Sequence, residues 1–251
     1  MILNKQKFNQ NLFTYLSILA IGIVVLFNIY NNAFKNGKFT CNRYILNSYL
    51  YIFLMLIIMT LEILFLDHSN IKPLALEKKL GFITTIIIML GLLILTMAIS
   101  NKYIFLKHLL WILLALSFGY ILYPSYKLSK KNNSFISVIL TLIAIMTIFS
   151  AIVYVNPDII SLDWGPTLVA ILVGVIIFSI INMLFDKNYR SPKWLSYLII
   201  ILFIFFVMYD TKKIKIDAKK CKEKTVDYIN ASLGIVLDIM NLFQNLVLVK
   251  A

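Results

Sequence analysis

Charge is scarce in this chain: 14% of its 251 residues are Asp, Glu, Lys or Arg, and only 11 are acids. Soluble domains carry about 25% charged residues, so a soluble globule of this length would have too little polar surface to present to water. Cysteine is limited to Cys41 and Cys221, in separate loops, with no CxxC and no Cys/His cluster. Neither a zinc site nor a disulfide framework is indicated. His68 and His108 are the only histidines, and HExxH, G-x-S-x-G and P-loop motifs are all lacking. The chain is therefore not expected to be an enzyme or to hold a cofactor. The 8 glycines are scattered singly, without the matched Gly/Pro-interrupted segments of a substrate-coupled transporter.

Apolar residues are what the chain has in abundance: 61% of it, with a mean hydropathy of +0.89. That much surface to bury excludes disorder. A helix needs about 20 apolar residues to cross a bilayer. That ruler finds Leu12–Tyr30, Tyr44–Leu66, Leu80–Ser100, Tyr103–Tyr123, Ser134–Val155, Trp164–Phe185 and Trp194–Tyr209. An eighth run, Tyr228–Val249, is flecked with Gly234, Asp238, Asn241 and Asn245. Asn31-Asn32, Lys72-Pro73, Pro124, Lys130-Lys131-Asn132-Asn133, Asn156-Pro157 and Ser191-Pro192 punctuate the runs. Lys5 and Lys7 ahead of the first run resemble the start of a signal peptide, but the run is long and Asn31-Asn32-Ala33 is a poor cleavage site. It reads as a retained helix or signal anchor. The expected fold is all-α: a polytopic membrane helix bundle forming a single transmembrane domain over residues 1–251, with the lipid bilayer as its first partner.

Lys and Arg number 24 against 11 acids, for a net charge of +13. They sit in short loops between apolar runs, where they hold span ends against anionic headgroups, and no nucleic-acid partner is expected. Counted loop by loop, about twelve fall on one side of the membrane and eleven on the other, a tie that leaves the positive-inside rule silent. The densest cluster, Lys212, Lys213, Lys215, Lys219, Lys220, Lys222 and Lys224, lies in the long polar stretch Asp210–Asp227. It is the best single cytoplasmic marker, read as a solvated loop or a contact with anionic lipid.

Ionisable groups inside the membrane are functional candidates, because a charge near mid-bilayer costs about 2.5–3.5 kcal/mol even on the milder scale. Asp238 is the most interior acid, and Gly234, Asp238, Asn241 and Asn245, spaced by four, three and four residues, share one helix face. Such a stripe must face protein or water. Amides alone would suffice for hydrogen bonding between helices, so the acid points to titration or cation contact. Asp210 closes the seventh span. Glu62 in the second span and Lys107 in the fourth lie near span ends and can snorkel to headgroups, and His108 beside Lys107 reads as interfacial. Trp111, Trp164 and Trp194 read as belt anchors. Asp210 and Asp238 also leave open an intramembrane aspartyl protease, although the glycines that usually flank such a pair are not in place.

The C-terminal residues carry a resemblance. Val207-Met208-Tyr209-Asp210-Thr211 ends one span, and Asp227 to Phe243 follows after a basic loop with Ala231-Ser232-Leu233-Gly234-Ile235-Val236-Leu237-Asp238-Ile239-Met240-Asn241-Leu242-Phe243. This resembles the transmembrane Bax-inhibitor-motif family (Bax inhibitor, lifeguard and Golgi anti-apoptotic proteins), whose late helices carry a Tyr-Asp-Thr ending and then a pattern like Ala-x-Leu-x-Leu-Tyr-Leu-Asp-Ile-x-Asn-Leu-Phe. Ile235 and Val236 stand where that pattern has Leu-Tyr. The resemblance implies a seven-helix bundle over residues 44–249, with Leu12–Tyr30 as an extra N-terminal helix. It also implies a pH-dependent calcium leak that dampens cell death, with calcium as the permeant ion and protons as the signal. Asp210 and Asp238 match the aspartate pair that shares a proton and gates the pore in that family.

Hard cations want oxygen ligands, so in such a leak Asp210 and Asp238 are expected to contact calcium weakly, with Asn241, Asn245 and Glu62 as the cation pathway or supporting polar face. No arginine lies within a span, so the basic latch partner of the pair is unassigned and Lys107 is the substitute. The alternative function is a non-conducting membrane protein that suppresses apoptosis by binding other membrane apoptosis regulators. The expected membrane is the endoplasmic reticulum or Golgi for a eukaryotic or viral chain, and the plasma membrane for a bacterial one.

Overall fold

The computed structural model describes residues 2–69, 79–185, 192–223 and 225–250. They form eight α-helices: α1 (Ile2–Ala33), α2 (Tyr44–Ser69), α3 (Lys79–Ala98), α4 (Ile104–Lys131), α5 (Phe135–Val155), α6 (Trp164–Phe185), α7 (Lys193–Lys219) and α8 (Tyr228–Lys250). Each expected span is therefore a helix, as lipid demands of a backbone that must satisfy its own hydrogen bonds. Seven helices are long and apolar enough to cross a membrane, while the described apolar run of α3 is the shorter Ile83–Ala98. The chain is an all-α, multi-pass membrane protein. The side chains of Lys5 and Lys7, the break at Lys72-Pro73, Ser191 and Lys224 lie outside the described residues.

Two boundaries differ from those read in the sequence. Pro124 sits inside α4, which runs on to Lys131 and stops where Asn133 takes a left-handed φ of 52°. A single proline in a long apolar helix is tolerated when neighbouring groups satisfy the freed carbonyl. More consequentially, α7 does not end at Tyr209: it continues through the basic stretch to Lys219. That stretch contains no Gly or Pro, and Lys and Ala are good helix formers. At 1.5 Å per residue its 27 residues span about 40 Å, longer than the ~30 Å hydrocarbon core. Much of the lysine cluster therefore decorates a helix end and not a loop.

The chain divides into two compact units, residues 1–123 with 221–232, and residues 124–220 with 233–251. In the first, α1 packs along α2 and ends in a small hairpin, β1 (Phe34–Lys35) paired antiparallel to β2 (Lys38–Phe39). Asn36 and Gly37 make its two-residue turn at φ 52° and 71°, as an Asn-Gly pair favours. Helices α2 and α4 cross closely because Gly119 leaves room: a Cβ there would stand 2.8 Å from the Met59 carbonyl oxygen.

Contrary to the reading of the sequence, the two cysteines form a disulfide, Cys41–Cys221, with Cα atoms 5.8 Å apart. They are 180 residues apart, so spacing motifs could not reveal the pairing. In the second unit α5 and α6 pack along α7, around buried Val153, Ile160 and Met208.

Candidate functional site

Helix α8 is the most buried span, 67% against 11% for the spans of α5 and α6. Its polar face is real: Asp238 is 3% and Asn245 7% exposed. The amide groups turn back on their own helix, Asn241 Nδ2 donating to the Leu237 carbonyl at 2.8 Å and Asn245 Nδ2 to the Asn241 carbonyl at 2.9 Å. Asp238 Oδ2 is buried with no hydrogen-bond partner. A buried carboxylate oxygen without a partner is costly and is the kind of exception that marks function.

Helix α7 delivers the second acid. Three consecutive residues, stepping about 100° apart, each meet a different helix. Tyr209 lies on Gly165 of α6, where a Cβ would stand 2.6 Å from its hydroxyl. Asp210 lies on Gly234 of α8, where a Cβ would overlap its Oδ2 and stand 2.7 Å from its Cγ. Thr211 Oγ1 lies 3.1 Å from Ser150 Oγ on α5. This gives the Tyr-Asp-Thr ending a physical sense, since one turn of α7 grips three neighbours.

Asp210 is nine residues before the end of α7, and its seat, Gly234, lies about one turn before Asp238 on α8. Lys213 follows Asp210 by three residues on α7. The structure thus brings Asp210, Gly234, Asp238, Asn241 and Asn245 to one face of α8. Glu62 belongs to the other unit, at the crossing of α2 and α4, its Cβ 2.9 Å from a Cβ placed on Gly119. Among the described residues no three of His, Cys, Asp and Glu are grouped to hold a metal ion.

Several residues take other places than those read from the sequence. Lys107 does not snorkel: it is 1% exposed, pairs with Asp227, and donates to the Ile99 carbonyl at 2.9 Å. Asp227 also caps α8, Oδ1 accepting from the Asn230 amide at 3.1 Å. His108 is not simply interfacial. Its Nδ1–H donates to the Ile104 carbonyl at 2.7 Å, so in the neutral ring Nε2 accepts from Tyr51 at 2.8 Å. Trp111 is not a belt anchor: it is 1% exposed and packs with Tyr51 and His108. Trp164 and Trp194 are exposed, at 46% and 56%, as belt residues are. The signals that could have found these contacts were the Asp227-to-Asn230 capping spacing and the even cysteine count, since the loops after the first and seventh of eight spans fall on the same side.

The family model described as inhibitor of apoptosis-promoting Bax1 matches residues 41–249. No curated protein and no solved structure matches the chain. The match starts beyond α1, and it takes in both Asp210 and Asp238 on the helices that carried the resemblance. With that match over most of its length, and with seven helices able to span a bilayer, the chain belongs to the Bax inhibitor family of membrane proteins.

Proposed function

We propose that this protein is a pH-sensitive leak channel for calcium, gated by Asp210 and Asp238, through which it modulates cell death. The observation that carries the reading is the unpartnered Oδ2 of Asp238, buried on the helix face where Asp210 is seated against Gly234. Two neighbouring carboxylates repel when both are ionised, and a proton shared between them removes that repulsion. With the proton in place, α7 and α8 hold together at this level. Its loss adds repulsion and presents bare carboxylate oxygens, the ligands hard cations prefer. Two acids do not make a high-affinity cage, which suits a leak. Asn241 and Asn245 extend the polar face.

The test is calcium efflux from proteoliposomes between about pH 6 and 8, a range that brackets a carboxylate influenced by a second one. The parent protein is expected to leak in a pH-dependent way, and Asp210→Asn and Asp238→Asn are each expected to flatten that dependence. Folded protein with no flux above empty liposomes would sink the channel and leave a non-conducting scaffold that binds other membrane apoptosis regulators. That second reading has one observation in its favour: Lys107, the basic residue available inside a span, is engaged by Asp227.

A further inference from the structure

We infer that the end of the molecule carrying Cys41 and Cys221 faces the oxidising side of the membrane, and that the Ile2 end of α1 and the Lys250 end of α8 lie on the cytosolic side. The inference is independent of ion conduction. It starts from the disulfide itself, since disulfides form and persist in oxidising compartments and are rare where glutathione keeps thiols reduced. The two cysteines are held side by side by contacts that do not involve sulfur. Tyr228, fully buried, donates its hydroxyl proton to the Thr40 carbonyl. Asn47 Nδ2 donates to the Asn42 carbonyl at 2.7 Å and to the Tyr228 hydroxyl at 3.2 Å. Asn101 Nδ2 donates to the Val226 carbonyl, and Asn230 Nδ2 to the Met97 carbonyl at 3.1 Å. The segments after α1, after α3 and before α8 therefore meet at one end of the same compact unit, and the disulfide is part of a built clasp.

Parity does the rest. α1 runs toward this clasp and α8 runs away from it, each long and apolar enough to cross the bilayer. Their far ends consequently lie on the opposite, reducing side. Taken alone, the lysine cluster beside Cys221 would favour the opposite orientation, but the loop charges summed over the chain tie. Two of its members are also occupied by the protein: Lys212 Nζ donates to the Ile160 carbonyl and Lys215 Nζ to the Tyr154 carbonyl, both at 2.6 Å. They satisfy helix-end carbonyls, which any side of the membrane permits, and so carry little weight as a cytoplasmic marker.

The experiment uses the full chain in sealed microsomes, cytosolic face outward, with maleimide-polyethylene glycol as an impermeant thiol probe. The native protein is expected to show no mobility shift in sealed vesicles, with or without an impermeant phosphine reductant, and none in detergent alone. A two-polymer shift should appear only with detergent and reductant together. In an Ala251→Cys chain, with Cys41 and Cys221 left in place, one polymer should add in sealed vesicles. Labelling of the native cysteines in sealed vesicles, labelling in detergent without reductant, or protection of the new cysteine until detergent is added would each overturn the orientation.

Discussion

Asp210 occupies the space that a side chain at residue 234 would take, and this makes Gly234 a sensitive probe of the site. Gly234→Ala is expected to destabilise the protein by about 1–3 kcal/mol through overpacking. In an Asp210→Ala background the carboxylate is gone, and the same change should stabilise by about 0.5–1 kcal/mol, the ordinary gain of Ala over Gly in a helix. Thermal unfolding of the four proteins in detergent checks the sign reversal, and an effect of the same sign in both backgrounds would refute the seating. Asp238 was legible from its depth in an apolar run, and Asp210 from its place at the end of one together with the resemblance. The room left for Asp210 by a missing side chain was not, because a glycine's use depends on what another helix puts against it. Lys107 was misread for a related reason: its partner Asp227 is 120 residues further along the chain.

At the scale of elements, Lys107 joins the end of α3, through the Ile99 carbonyl, to the start of α8, through Asp227. Removing one member of a buried ion pair leaves the other uncompensated, at about 3–5 kcal/mol. Lys107→Met and Asp227→Asn are each expected to lower the unfolding temperature strongly. The double variant should recover much of the loss, because Asn still caps α8 and no buried charge remains. Additive losses in the double variant, measured in the same melts, would show that the pair is not an energetic unit. The helices themselves were readable to within a few residues except at α4 and α7, which run past Pro124 and Tyr209. There the apolar ruler failed because a helix is not obliged to end where its hydrocarbon does.

For the whole molecule the disulfide is the longest covalent tie, closing 180 residues of chain. Reduction, or the Cys41→Ser/Cys221→Ser pair of changes, is expected to cost about 2–4 kcal/mol. The figure stays below the long-loop limit because helices held in a bilayer are already restrained when unfolded. Melts with and without reductant should differ for the parent and coincide for the double serine variant; coincidence for the parent would mean that the bond contributes nothing. The helix outside the family match, α1, enters this scheme through its hairpin, which places Phe39 against Tyr228 at the start of α8, ring centroids 5.1 Å apart.

Membrane residence, eight helices and the two acids Asp210 and Asp238 as candidates follow from the residues alone. In lipid an apolar run of twenty residues has no way to satisfy its backbone except as a helix, and an acid within such a run is conspicuous wherever the helix packs. Which residues meet was decided only by the tertiary structure: Asp210 with Gly234, Lys107 with Asp227, and Cys41 with Cys221. Those contacts join segments far apart in the chain, and neither the composition of a loop nor the period of a helix records what the fold sets against it.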